Sequence, residues 1–252
     1  MSVSAQVQHA YEKQYESNQS EWREIGAQQK ALNILELTSG LSFKKVLEVG
    51  AGDGSILQVL SRHNFAQELY AVEISSSALQ HIHQRKLPQL KQAILFDGYT
   101  LPFADHTFDL VILSHVLEHV EFERKLLREL LRIAKYQVIE VPKDYRYGVD
   151  RKISHFLSYG HINMYTPSSL RFLLRSEGYA IIKQKIAVYS QKTYQFMIAG
   201  PDGTTTKRIK ANLLYYIKKF MVSLPFSKVR DHFANTITVL TTAGKGGVEI
   251  FK

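Results

Sequence analysis

Between residues 44 and 142, short apolar runs alternate with stretches of helical period. The runs fall at 46–49, 69–74, 93–96, 108–113 and 137–141. They lack the apolar–polar alternation of half-exposed strands, so they read as strands buried on both faces. Strands separated by helices mark βαβ units and a parallel sheet, hence an α/β fold. Within residues 121–134, Leu126, Leu127, Leu130, Leu131 and Ala134 recur at helical spacing, while Glu123, Arg124, Arg128 and Glu129 fall elsewhere. That pattern predicts a helix laid on one face of the sheet. Another helix is punctuated at both ends. Thr166 can cap it, Pro167 suits its first turn, Leu170, Leu173 and Leu174 form its stripe, and Gly178 can end it. Residues 179–188 and 236–242 read as two more strands. Residues 1–40 read as an N-terminal helical cap, with Trp22 available to pack, ahead of a domain spanning 41–252.

Composition narrows the chemistry. The 252 residues, 45% apolar and 22% charged, suit one elaborated globular domain. With no cysteine, disulfides, thiolate zinc sites, iron–sulfur clusters and thiol nucleophiles are excluded, and no residue is assigned to a metal. The N-terminus lacks the apolar core of a signal peptide, and no run of about 18 apolar residues occurs, so a cytoplasmic protein is expected. The net charge of +9 is uneven. Residues 203–230 hold Lys207, Arg208, Lys210, Lys218, Lys219, Lys228 and Arg230 and no acid. In this segment Ile209, Leu213, Leu214, Ile217, Phe220 and Met221 make one helical face, with Lys210, Lys218 and Lys219 off it. The simplest reading is an amphipathic helix packed on the domain, inserted between the last two strands. A cover over an anionic acceptor, or a peripheral membrane contact, are the sharper alternatives.

The strongest local signal is the run 46–57, where a buried strand passes through Gly50, Gly52 and Gly54 into a helix. Glycine permits the tight turn and close approach of backbone to a ligand, and the helix start offers unpaired N–H groups. The spacing G-x-G-x-G differs from the G-x-G-x-x-G of dinucleotide sites, which disfavours a nicotinamide enzyme. Glu73 ends the next strand, where a carboxylate can accept both hydroxyls of a ribose. After the third strand, Asp97 and Gly98 can read an adenine, carboxylate to exocyclic amine and backbone N–H to ring nitrogen; an isolated Asp-Gly would be only a turn.

With these residues the chain resembles the class I methyltransferases, in particular the UbiE/UbiG-like (type 11) group. The resemblance rests on VLEVGAGDG at 46–54, AVEIS at 71–75, FDGYTLPFADHTFDLVILSHVLEHV at 96–120 and GHINMYTPSSLRFLL at 160–174. It implies a Rossmann-like seven-stranded mixed sheet of order 3-2-1-4-5-7-6, last strand antiparallel, flanked by helices. It implies S-adenosylmethionine as cofactor and S-adenosylhomocysteine as product. Glu48 with Gly50, Ala51, Gly52, Asp53 and Gly54 would face the methionine part, Glu73 and Ile74 the ribose, and Asp97 with Gly98 the adenine. Ser114 and His115 would border the methyl group. The Asn/Asp-Pro-Pro-aromatic tetrad of base amino-methyltransferases is replaced by Ser114-His115-Val116-Leu117, so bases in nucleic acid are poor acceptors.

Methyl transfer from a sulfonium is an in-line displacement, and a hydroxyl acceptor gains from a base. His119 is the first choice, with His161 second, since both fall in segments that the resemblance places near the acceptor. His155, Tyr145 and Tyr147 are candidate substrate contacts. The expected reaction is O-methylation of a small molecule or glycan, with anionic acceptors among the candidates. The alternatives are an RNA methyltransferase, unsupported by any RNA-binding motif, and a non-catalytic S-adenosylmethionine-binding scaffold. Nothing in the sequence sets the oligomeric state.

Overall fold

The computed structural model describes residues 2–16, 20–146 and 148–245. Two helices, α1 (Ala5–Glu16) and α2 (Ser20–Leu37), precede β1 (Phe43–Val49), α3 (Ser55–Arg62), β2 (Ala66–Glu73), α4 (Ser76–Gln84), β3 (Leu90–Leu95) and β4 (Phe108–Ser114). There follow α5 (Glu123–Ile133), β5 (Ala134–Pro142), α6 (Ile153–Leu157), α7 (Pro167–Ser176) and β6 (Tyr179–Ala187). Three helices, α8 (Gln191–Ala199), α9 (Thr205–Ser223) and α10 (Ser227–Phe233), stand between β6 and β7 (Thr236–Ala243).

The seven strands lie in the order β3-β2-β1-β4-β5-β7-β6. Strands β1 to β5 are parallel, and β7 is antiparallel to both β5 and β6. The order matches the expected Rossmann-like sheet. The order of strand addition reverses between the parallel neighbours β1 and β4, and ligands of such sheets bind at the carboxyl ends of the strands there.

Adjacent residues of one strand serve opposite cores. Leu47, Val49, Val111, Leu113 and Ile139 pack with Leu126, Leu127 and Leu130 of α5 and Leu170 and Leu174 of α7. Val46, Leu110, Ile112 and Val138 pack with Ala31 and Ile34 of α2 and Leu57 and Leu60 of α3. Burial on both sides explains the unbroken apolar runs. The exceptions are the two edge strands, β3 with Lys91, Gln92 and Leu95 exposed and β6 with Ile182 and Lys183 exposed. Leu130 is fully buried, so Leu130→Ala is expected to cost about 2–5 kcal/mol in urea unfolding through lost contacts and a residual cavity. Its distance from the strand tips should leave cofactor affinity unchanged.

Two boundaries depart from expectation. α5 passes into β5 at Ala134 with no intervening turn, so the strand starts three residues earlier than its apolar run. In α9 the buried side is inverted. Ile209, Leu213, Ile217 and Phe220, expected to pack inward, are exposed; Ala211 is the helix's buried residue, and Leu214, Lys218 and Met221 are half-buried. The Lys218 ammonium lies 5.5 Å from the Tyr194 ring centroid. Burial, with Arg146 and Lys143 nearby, lowers its pKa to about 8. The inversion has a steric reason. α9 packs closely on α8, and the small Ala211 lets the two helices approach where an isoleucine or phenylalanine would hold them apart.

Candidate cofactor and acceptor site

At the tip of β1 the chain turns through Gly50, Gly52 and Gly54, with φ of 68°, 54° and 76°. These left-handed values favour glycine. A Cβ at Gly50 would stand 2.6 Å from a Val116 methyl, and one at Gly52 2.5 Å from the Tyr15 hydroxyl. Asp53 accepts from the Ser55 N–H and hydroxyl through Oδ1 and pairs through Oδ2 with Arg23 at 3.3 Å and Arg85 at 3.1 Å. It thereby ties the loop to α2 and α4.

Glu73, at the tip of β2, accepts from the Gly52 N–H at 2.8 Å through Oε2. Through Oε1 it accepts from the N–H groups of Ile74 at 2.7 Å and Ser75 at 3.2 Å. Burial raises its pKa, against those backbone donors. The carboxylate thus fixes the glycine loop to the neighbouring strand, and Oε2 keeps a lone pair for a ligand. Asp97 closes a turn by accepting from the N–H groups of Tyr99 and Thr100 through Oδ1. Gly98 beside it faces Val3, whose N–H donates to the Asp97 carbonyl.

A single cleft of about 750 Å³ runs over these strand tips. Glu48, Gly50, Ala51, Gly52, Asp53, Glu73, Ile74, Gly98, Ser114 and His115 line it, as do His119, His155 and His161. Gly54 lies behind the loop as the N-cap of α3. The Asp97 side chain and the exposed Tyr145 do not line the cleft. Tyr147 lies outside the described residues.

Four buried polar atoms in the cleft have neither a hydrogen bond nor an ion-pair partner: Glu48 Oε2, Ser114 Oγ, Glu118 Oε2 and Thr236 Oγ1. Such groups are costly unless a ligand satisfies them. Two of the four belong to carboxylates, and Glu140 adds a third carboxylate to the lining. They stand opposite Lys30, whose pKa burial lowers while Glu140, Glu118 and Glu48 raise it. A ligand with a cationic centre and hydroxyls fits this lining, and S-adenosylmethionine has an ammonium, a sulfonium and a ribose.

His115 holds a left-handed backbone, φ 57°, sparsely populated for a residue with a side chain. Its ring lies 3.3 Å from both Glu118 and Glu140. Burial and Lys30 disfavour its charge, yet the two carboxylates outweigh them and raise its pKa. Burial would raise Glu118 in turn, but His115 holds it down to about 2. The next two histidines are built differently. His119 shares Nδ1 with the Gly160 carbonyl at 3.0 Å, and His161 shares Nδ1 with Asp144 at 2.7 Å. The two rings meet edge to face, centroids 4.9 Å apart. Burial lowers the His119 pKa despite Glu118, so this ring is neutral at neutral pH. Glu118, His119 and His161 each bring a ligand atom within 4.8 Å of the others. The turn carrying His119 is clamped from the 160–165 loop, where the N–H groups of Ile162 and Asn163 donate to the Glu118 carbonyl and the Asn163 amide donates to the Leu117 and Val120 carbonyls.

The comparisons with known proteins point the same way as this geometry. A model described as a methyltransferase domain matches residues 21–184. The chain belongs to the methyltransferase domain family. Its fold is the class I type and its cofactor is S-adenosylmethionine. It is 33% identical over 92 residues to a malonyl-[acyl-carrier protein] O-methyltransferase of Halorhodospira halophila, covering 36% of this chain and 31% of that one. It is 28% identical over 102 residues to a demethylmenaquinone methyltransferase of Thermotoga maritima, covering 40% and 44%. The match thus spans less than half the length of either relative. Among solved structures, a putative methyltransferase in complex with the Haloferax volcanii Trm112 activator aligns with a TM-score of 0.65 at 14% identity, over 93% of this chain and 98% of that one. A geranyl diphosphate C-methyltransferase from Streptomyces coelicolor, with S-adenosylhomocysteine, aligns at 0.62 and 11% identity, over 85% and 75%.

Several cleft residues of this methyltransferase domain escaped the sequence reading. Tyr11 and Tyr15 reach the cleft from α1, Lys30 from α2, Glu140 from β5 and Phe196 from α8. Glu140 had a signal, an acid inside a strand buried on both faces, like Glu48 in β1. The residues of α1, α2 and α8 had none, because only the tertiary fold brings those helices over the strand tips.

Proposed function

We propose that the protein methylates a hydroxyl oxygen of a small molecule or glycan. The observation that carries this reading is the pair of imidazoles, His119 and His161, each with Nδ1 engaged by the protein and Nε2 as its remaining basic nitrogen. When bound, S-adenosylmethionine supplies an electrophilic methyl on a positively charged sulfur. Glu48, Glu73 and the glycine loop would hold the cofactor, and Gly98, in the turn that Asp97 closes, would bound its adenine. His119 Nε2 accepts the hydroxyl proton, and Gly160 fixes the tautomer by taking the Nδ1 hydrogen. Helix α1 with Tyr11 and Tyr15, and Phe196 stacked on Trp22 at 5.3 Å, restrict water over the cleft. An O-methyltransferase among the relatives supports oxygen as acceptor, and the missing base-recognition tetrad speaks against nucleic acid. Incubating pure protein with methyl-labelled cofactor and fractionated cell extract tests the reading. Label is expected in small molecules or glycans; label in RNA, or none, overturns it.

The state of His119 sets the pH dependence. A base must be unprotonated, and a pKa below the ordinary 6.5 keeps it so to lower pH. The acid limb of kcat/KM is therefore expected below pH 6.5; a limb above that value assigns the proton to another group. Because Glu118 stands beside the two imidazoles, metal removal is informative. Activity is expected to survive EDTA, and its loss with recovery on adding a divalent cation would replace the base by a Lewis acid.

A further inference from the structure

Helix α9 packs on α8, and α8 lines the cleft with Thr193, Phe196 and Met197. On the opposite side of α9, Ile209, Leu213, Tyr216, Ile217 and Phe220 are 46% to 63% exposed. At about 100° per residue their spacing of i, i+4, i+7, i+8 and i+11 makes one straight stripe. Lys210, three residues before Leu213, edges the stripe on one flank, and Lys219, three after Tyr216, edges it on the other; both are exposed. Phe226, just beyond the helix, is 64% exposed.

A contiguous apolar stripe on a domain surface marks a contact. Charge decides with what. From residue 203 to 230 there are seven cations and no acid. A second copy laid on the same face would bring lysine against lysine, whereas an anionic bilayer complements both features. Its acyl boundary takes the apolar side chains, and its phosphates take the flanking ammonium groups. No helix among the described residues is long and apolar enough to cross a membrane, so the contact is one of lying on the surface. We propose that α9 is an interfacial helix that docks the protein on anionic lipid bilayers. Docking sets α8, one wall of the cleft, beside the bilayer, where amphiphilic acceptors concentrate. The docking itself does not depend on which acceptor is methylated.

Co-sedimentation of the full chain with phosphatidylcholine vesicles, with and without phosphatidylglycerol, tests it. Binding is expected to the mixed vesicles and to fall with salt as screening shortens. The double variant Leu213→Asp/Phe220→Asp changes only exposed positions, so its melting temperature should match the parent while its partition falls at least about 30-fold. Lys210→Glu/Lys219→Glu should fall about 30-fold or more at low salt. Absence of binding by the parent at low salt overturns the proposal, as does binding that the aspartate variant retains. A parent dimer that the aspartate variant converts to monomer overturns it too, by assigning the stripe to a second copy.

Discussion

Replacing His119 with alanine is expected to lower turnover by about 100-fold or more while leaving cofactor affinity intact, the usual loss when a positioned base is removed. The side chain has one hydrogen bond to the protein, Nδ1 to the Gly160 carbonyl. Its loss should cost about 1 kcal/mol, or a few degrees in melting temperature for a chain of this size. A large kinetic effect with a small thermal one therefore marks chemistry. A variant that keeps full turnover removes His119 from the mechanism, and one that unfolds makes it a structural member of the 117–119 turn. Asp144→Asn separates the neighbouring ring. The carboxylate holds His161 Nδ1 at 2.7 Å and so orients that ring. If His161 takes the proton, Asp144→Asn should approach the loss seen in His119→Ala. With His119 as the base, the effect should stay within about tenfold, because Asp144 does not touch that ring.

How much of this was legible in the chain depends on the range of the interaction. The glycine loop, Glu73 and the strand runs are local patterns in which a few adjacent residues dictate a turn or a buried strand, and they mapped onto the sheet and its cleft. The ion cluster beneath the acceptor end is not local. Lys30 feels the charges of Glu48, Glu118 and Glu140 from three elements widely separated in sequence, and Asn33 donates to Glu140 across 107 residues. The histidines were visible as residues but not as a pair, since the 160–165 loop that clamps the 117–119 turn is joined to it only by tertiary hydrogen bonds. In α9 the period predicts the helix but not its buried face. Periodicity shows that a helix has an apolar side, but only a neighbour decides which side is covered. Here the neighbour, α8, takes the side with Ala211.

Glu73→Ala is expected to weaken S-adenosylhomocysteine binding by about 100-fold or more, for two reasons that add. The buried carboxylate is the acceptor for three backbone N–H groups, and charged hydrogen bonds of this kind are worth about 1–3 kcal/mol each. Its loss frees the Gly52 N–H and lets the glycine loop drift from the tip of β2. It also removes the group placed to accept the ribose hydroxyls. A combined loss of about 3 kcal/mol corresponds to a rise in Kd of more than 100-fold. Glu73→Gln keeps one oxygen acceptor and turns an amide donor toward backbone donors, so an intermediate loss of about tenfold is expected. Calorimetry of the variants, paired with their melting temperatures without cofactor, separates the two roles. A lower melting temperature with unchanged affinity would leave Glu73 as a tie between β2 and the loop. The Asp97 carboxylate, engaged with its own turn through Oδ1, should contribute less, about 1–2 kcal/mol on Asp97→Ala. Affinity unchanged in both variants would remove the cofactor from these strand tips.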